Sequence, residues 1–473
     1  MRNPRDMRPA VAAVLAAAGA VAIQSLWLPV DADVSWLITV AERILWGDRL
    51  YLDILEVNPP ASVWLYLPLV WLAQLSGLPA EAVVVATFVV AGLASIWATV
   101  RLASSLDGST LSLWLSATLG LVVLVLPMAL FAQREHAALI LAFPALTALA
   151  VIAEGKPLGR RALLSCGFAA GVIIVIKPYF LLAVIAPALW AAWKRRTLSP
   201  LLPGIAAGAT AIGLYAIAVL LFARSYLDWV PVIAHTYAPM HELWWKVFVG
   251  PTLYPAMCVA LAILMRPPRI PSMVAMWALG SAGFVLAAFL QGKNYPNHWL
   301  PGAGMALAAA FALLAQPGIK PVRKAAVGGG LAAVSLMAMY YWAIRPDPAV
   351  ATVIQRVGPP APKMIALSPQ LTTGHPVTRN VGGQWVGSRP SLFLAGASLF
   401  VGLEDEIARR AYREDIRSFA IDVQRHSPDI VLVDRKSKEW LMGEEEIAPA
   451  MGRYRLAGES TDTEIWVRHR RTP

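Results

Sequence analysis

Long apolar runs separated by short polar breaks dominate the first three quarters of the chain. The runs fall at 9–29, 59–76, 80–100, 111–131, 134–153, 161–176, 178–193, 200–223, 249–265, 271–290, 299–316 and 323–344. Most approach the roughly 20 residues a helix needs to cross the hydrocarbon core of a bilayer. The pattern predicts a polytopic all-α membrane domain over residues 1–345, with an odd total of about 11–13 transmembrane helices. The first run is long enough to span, so it is expected to be a retained helix and not a cleaved signal. Beyond residue 345 the apolar runs shorten and charges rise. Lys363-Met-Ile-Ala-Leu-Ser and Asp429-Ile-Val-Leu-Val-Asp read as short buried strands, with further strands at 454–457 and 464–467. Residues 404–425 carry apolar side chains at helical spacing opposite Arg and Glu. A small C-terminal α/β domain over 346–473 is expected, on the outer side of the membrane.

Composition agrees with this picture and charge orients it. The chain has 473 residues, of which 58% are hydrophobic and 15% charged. The charged share is well below the roughly 25% of soluble domains. Mean hydropathy is +0.59. The net charge of +11 would suggest nucleic acid were it not confined to short breaks between apolar runs. Arg2, Arg5 and Arg8 precede the first run. Lys156, Arg160 and Arg161, then Lys194, Arg195 and Arg196, then Arg266 and Arg269, then Lys320, Arg323 and Lys324 follow. This is the positive-inside pattern, which puts those loops in the cytoplasm and leaves no nucleic-acid function to explain. From residue 154 onward it places Lys177, the loops 224–248 and 291–298, and everything after 345 outside. Outside placement of Gln133-Arg134-Glu135-His136 requires the odd number of crossings. Cys166 and Cys258 sit in or beside apolar runs and imply neither a disulfide nor a cysteine metal site.

Against this background the stretch 31–60 stands out. Six of the 29 acidic residues, Asp31, Asp33, Glu42, Asp48, Asp53 and Glu56, fall in it. Solvation alone accounts for Asp48 and Asp53. Asp31 and Asp33 flank Ala32 at the end of the first run, ahead of Trp36, where a carboxylate could take the proton of an attacking hydroxyl. Residues 34–46 predict an amphipathic helix lying on the membrane surface. Ionisable groups inside apolar runs usually pair or line a cavity, so Arg134, Glu135 and His136 are candidates for an anionic ligand, against a plain Arg134–Glu135 pair. Lys177 either snorkels to the head groups or contacts a phosphate. His235 and Tyr237 in one outer loop, and Lys293, Tyr295 and His298 in another, complete a set suited to a phosphate and a sugar. Their spacing does not define a metal site, and a divalent metal is not favoured. P-loop, GxSxG and HExxH motifs are absent, which removes ATP-driven and common protease chemistry.

DADVSW (31–36) with AERILWGDRLYLDILEVNPP (41–60) resembles the first outer loop of the GT-C superfamily of membrane glycosyltransferases. The branch is that of bacterial relatives of protein O-mannosyltransferases and the lipid A aminoarabinose transferase. QREH (133–136), IKPYF (176–180), QGKNYPNHWLP (291–301), QWVGSRPSLF (384–393) and HSPDIVLVD (426–434) extend the resemblance over nearly the whole chain. It implies an inverting transferase of the bacterial inner membrane, with its active site facing the periplasm and no required cofactor. The donor would be a polyprenyl-phosphate sugar and the acceptor a hydroxyl of lipid A, an envelope polysaccharide or a protein. The base would be Asp33 or Asp31, because the family's Asp-Glu is Asp33-Val34 here. Arg134, Lys177, Lys293 and His298 would hold the donor phosphate. Glu56, Glu135, His136, His235, Tyr237 and Tyr295 would contact substrate. A secondary transporter or flippase would also bury ionisable residues, but the acidic loop, the exported domain and the lack of internal repeats speak against it.

Overall fold

The computed structural model describes residues 8–106, 112–265, 270–316, 320–342 and 347–469. Arg2, Arg5, Arg266 and Arg269 lie outside the described residues. Among the described residues, all twelve apolar segments lie mainly on helices. Some are continuous, such as Arg134–Ala153, Ser272–Gln291 and Pro296–Leu314. Others are interrupted: 59–76 is covered by Ala61–Trp64 and Leu67–Ser76, and 111–131 by Ser112–Leu119, a π-helical Gly120–Val125 and a 3-10 turn Met128–Leu130. Among the described residues, five helices are long and apolar enough to cross a membrane by length and composition, and a bent helix pair would raise that to six. The expected total of about 11–13 therefore needs broken and shorter helices to cross as well.

The chain divides into two compact units. The first comprises residues 1–28, 84–218 and 241–343. Its centre is Arg134–Ala153, Ser272–Gln291 and Pro296–Leu314, which are mostly buried in protein, whereas Leu202–Phe222 and Pro321–Trp342 leave most of their surface open. Such contrast is that of bundle core against lipid-facing rim. Without a hydrophobic drive between helices in lipid, close approach relies on small residues. Accordingly, a Cβ added to Gly167 would lie 2.2 Å from the Gly204 carbonyl oxygen.

The second unit comprises residues 29–83, 219–240 and 344–473. The acidic loop thus groups with the C-terminal segment, and not with the rest of the expected 1–345 domain. Its sheet has strands β1 (Lys363–Leu367), β2 (Gln384–Trp385), β3 (Ile430–Asp434), β4 (Tyr454–Glu459) and β5 (Thr463–Arg468) in the order β2-β1-β3-β5-β4. β1 pairs parallel with β2 and β3, while β5 pairs antiparallel with β3 and β4. The centre strand β3 is buried at every position, as its unbroken Ile-Val-Leu-Val run requires. The helix Glu406–His426 buries Ala408, Ala411, Ile416, Phe419 and Val423 and packs against the helices Phe393–Val401, Tyr226–Tyr237 and Ile447–Met451, and Asp405 caps it through the Ala408 N–H at 2.9 Å.

Candidate functional site

In the second unit, Asp31 ends the polar turn after the first apolar helix and caps the helix Ala32–Leu45. Its Oδ1 accepts the Asp33 N–H at 2.8 Å, which gives this carboxylate a structural task. Asp33 sits half-buried in the first turn, where the helix dipole favours a negative charge. The helix is present as expected. However, it does not present one face: every residue from Val34 to Ala41, Ser35 and Thr39 included, is buried. Short helices Ala61–Trp64, Leu67–Ser76 and Leu371–Gly374 pack around it.

Glu56, Asp48 and Asp53 are engaged by partners within the loop. Glu56 is 1% exposed. One of its oxygens receives the Trp36 indole N–H, and the other accepts the Asn58 N–H at 2.8 Å and side-chain amide at 2.5 Å. Glu56 therefore folds the loop, and the expected sugar contact finds both its oxygens engaged. Asp48 pairs with Arg43 at 2.5 Å. Asp53 pairs with Arg49 at 2.8 Å, and the Arg49 hydrogen bond holds its carboxyl down at about 2.

In the first unit, three distant segments meet in one buried polar cluster. Arg134 and Glu135 open the helix Arg134–Ala153 and are 4% and 0% exposed. Lys177 stands in extended backbone between Arg160–Ile176 and the turn Pro178–Phe180. Its Nζ lies 2.5 Å from Glu135 Oε1 and 3.2 Å from Gln291 Oε1. The Asn297 amide donates to Glu135 Oε1 at 3.3 Å and to Gln133 Oε1 at 3.1 Å. Arg134 and His298 exert their fields on the same carboxylate. His298 and Lys293 are buried, and burial pushes the Lys293 ammonium down to about 8. In place of the plain Arg134–Glu135 pair, the Glu135 carboxylate pairs with Lys177, across 42 residues, and Arg134 acts on it through its field. Gly292 makes the 291–298 turn possible: its φ of +63° suits glycine, and a Cβ there would lie 1.8 Å from His241 Nδ1.

Two expectations change. His136 is fully buried against Phe88 and Phe131. Its Nδ1 accepts the Ala132 N–H at 3.1 Å, so the Nε2 proton, 2.7 Å from the Val123 carbonyl, is donated there. No ring nitrogen is left for a substrate, and the residue locks the start of its helix. His235 and Tyr237 lie in the second unit, on the helix Tyr226–Tyr237. His235 Nε2 is 3.0 Å from Asp405 Oδ1, and Tyr237 packs on Phe393, so both side chains hold C-terminal elements. Tyr295 is 42% exposed and stacks edge-on against His298. Gln291 and Asn297 were passed over in the sequence because amides carry no charge to betray them. Among the described residues, no group of three or more His, Cys, Asp or Glu side chains could hold a metal ion.

The fold, a helical bundle with a small C-terminal sheet, is shared with solved membrane-protein structures. The chain is similar to the crystal structure of ArnT from Cupriavidus metallidurans bound to undecaprenyl phosphate, with TM-score 0.60, 14% identity, and 96% of this chain and 97% of that one covered. Against the apo state of the same ArnT the TM-score is 0.59 at 15% identity, with the same coverage. The apo oligosaccharyltransferase of Archaeoglobus fulgidus gives TM-score 0.47 at 12% identity, over 99% of this chain and 75% of that one. No family model matches the chain. No characterised protein matches it by sequence.

Proposed function

We propose that the chain is an inverting membrane glycosyltransferase that moves a sugar from a polyprenyl-phosphate donor to an acceptor hydroxyl. The observation that supports this reading is the buried polar cluster in which Lys177, Arg134 and His298 act on the Glu135 carboxylate, with Lys293 beside His298. Ionisable side chains gathered within an apolar bundle mark the path or site of a charged substrate, and a lipid phosphate is an anion suited to a cluster rich in Arg, Lys and His. The similar ArnT structure holds undecaprenyl phosphate. In the reaction, Asp33 takes the proton of the acceptor hydroxyl as its oxygen attacks the anomeric carbon. The bond from that carbon to the phosphate oxygen breaks, its electron pair stays with the polyprenyl phosphate, and the configuration inverts. Arg134, Lys177 and Lys293 stabilise the charge growing on the leaving group, each good contact contributing about 3 kcal/mol. His298 lines the same cluster, and Tyr295 offers a hydroxyl and a ring to the sugar. The acceptor belongs to lipid A, an envelope glycan or a protein on the periplasmic side of the bacterial inner membrane. No metal or cofactor enters this scheme.

We assign the base to Asp33 and the N-cap to Asp31, whose Oδ1 accepts the Asp33 N–H. In lipid nanodiscs with a polyprenyl-phosphate sugar, Asp33→Asn is expected to lose about 100-fold or more in kcat. Asp31→Asn, still able to cap, should keep more than about a tenth of it. Full transfer by Asp33→Asn overturns the assignment. Counterflow of a lipid-linked sugar in sealed vesicles, with no new glycosidic bond, would replace the enzyme by a transporter.

A further inference from the structure

The helix that carries Asp33 is gripped along one face by a segment more than 300 residues away. Arg379 stands on the short helix Val377–Asn380, between β1 and β2. Its side chain is only 14% exposed. NH1 and NH2 donate to the two oxygens of Glu42 at 2.6 and 2.9 Å, Nε donates to Glu81, and NH1 also reaches Thr39 Oγ1 at 3.4 Å. The next residue of the gripped helix is held too: Arg43 NH1 donates to the Gly387 carbonyl at 2.5 Å. The Leu55 N–H donates to the Ser388 carbonyl at 2.8 Å, and Asp422 fixes Ser388 through its N–H at 2.6 Å and hydroxyl at 2.7 Å. At the other end, Trp36 packs on His375 and Trp385, with ring centroids 5.3 and 6.5 Å away. Positions 36, 39, 42 and 43 follow the three-to-four spacing of one helix face.

This exceeds what stability of the C-terminal sheet requires. Two carboxylates from separate segments converge on one guanidinium, and a bidentate Arg–carboxylate pair fixes direction as well as distance. A helix is stiff over three turns, so fixing Glu42 also fixes the first turn, about 14 Å along the axis. Reacting groups lose about 100-fold in rate for a misplacement of 1 Å.

We propose that Arg379 is a positioning residue: from the C-terminal domain it orients the helix Ala32–Leu45, and with it Asp33, for proton abstraction. The catalytic part of this rests on the glycosyltransferase reading above. Leu55 is tied to the same segment through Ser388, and Glu56 through Trp36, which packs on His375 and Trp385, so the end of the acidic loop is held to residues 375–388 as well.

Two measurements on the full chain in lipid nanodiscs test it. Arg379→Ala should lower kcat about tenfold to 100-fold with the donor KM changed less than about twofold, because the cationic cluster is untouched. Arg379→Lys, which keeps the charge but not the fork, should recover only part of the loss. Backbone hydrogen exchange should quicken over residues 32–45 in Arg379→Ala and stay unchanged in β1, β3 and β5. Unchanged exchange over 32–45, or kcat within twofold of the parent, overturns the proposal. So does faster exchange throughout the sheet, which would make Arg379 a prop of its own domain. Exchange reads the brace whether or not sugar is transferred. Absence of transfer by the parent protein would therefore count against the glycosyltransferase reading, while faster exchange confined to 32–45 would still support the brace.

Discussion

Glu135 and Lys177 form a buried ion pair within the cluster proposed to hold the donor phosphate. Removing a single member of a buried pair strands the other charge at a cost of about 3–5 kcal/mol. Glu135→Gln should therefore lower the Tm and the yield of folded protein. Replacing both, Glu135→Leu with Lys177→Met, should return the Tm to within a few degrees, since an apolar pair of similar volume is nearly neutral. Donor binding should remain lost in the double variant, which thermal unfolding with and without polyprenyl phosphate separates. Lys293 gives a pH signature. Its folded pKa of about 8 lies below the usual lysine value of 10.5. Between those values the unfolded chain binds the extra proton, so this residue's contribution to stability improves as pH rises from 8 to 10.5. Donor binding moves the other way: the charge is lost above about pH 8, and the donor KM should rise there. Arg at this position stays protonated, so Lys293→Arg should remove that alkaline limb, read from the pH profile of KM.

At the scale of elements, the decisive pieces are the 32–45 helix and the 291–298 turn. The first has apolar residues at helical spacing and a capping Asp, both visible in the sequence. The burial of every residue from Val34 to Ala41 was not visible, because Ser35 and Thr39 are polar and only the packed neighbours cover them. The second turn depends on Gly292. Gly292→Ala meets an unfavourable φ together with the His241 ring, and should cost about 2 kcal/mol or more. That should show as a lower Tm and, through displaced Lys293 and Gln291, as weaker donor binding. The strands β1, β3, β4 and β5 were legible because alternating or unbroken apolar runs are local properties. β2 was missed, since two residues carry no period.

For the whole molecule, sequence and structure divide the information by range. The apolar runs, the basic loops and the strand patterns are set by neighbours along the chain, and they determined a multispanning helical protein with a C-terminal α/β segment. The motif strings also pointed to the polar cluster, since a charge inside an apolar run is conspicuous on its own. What the sequence could not contain is which charges meet. Glu135 finds Lys177 and Asn297, Arg379 finds Glu42 and Glu81, and His235 finds Asp405, each across dozens to hundreds of residues. His136 shows the same limit from the other side: a buried histidine reads as a ligand until the Val123 carbonyl is seen to take its proton. Arg379 gave no sign at all, for an arginine in a polar stretch looks like surface. Element type follows from local periodicity and burial free energy, which the sequence states directly. The partner of each polar group follows from packing, which only the folded chain decides.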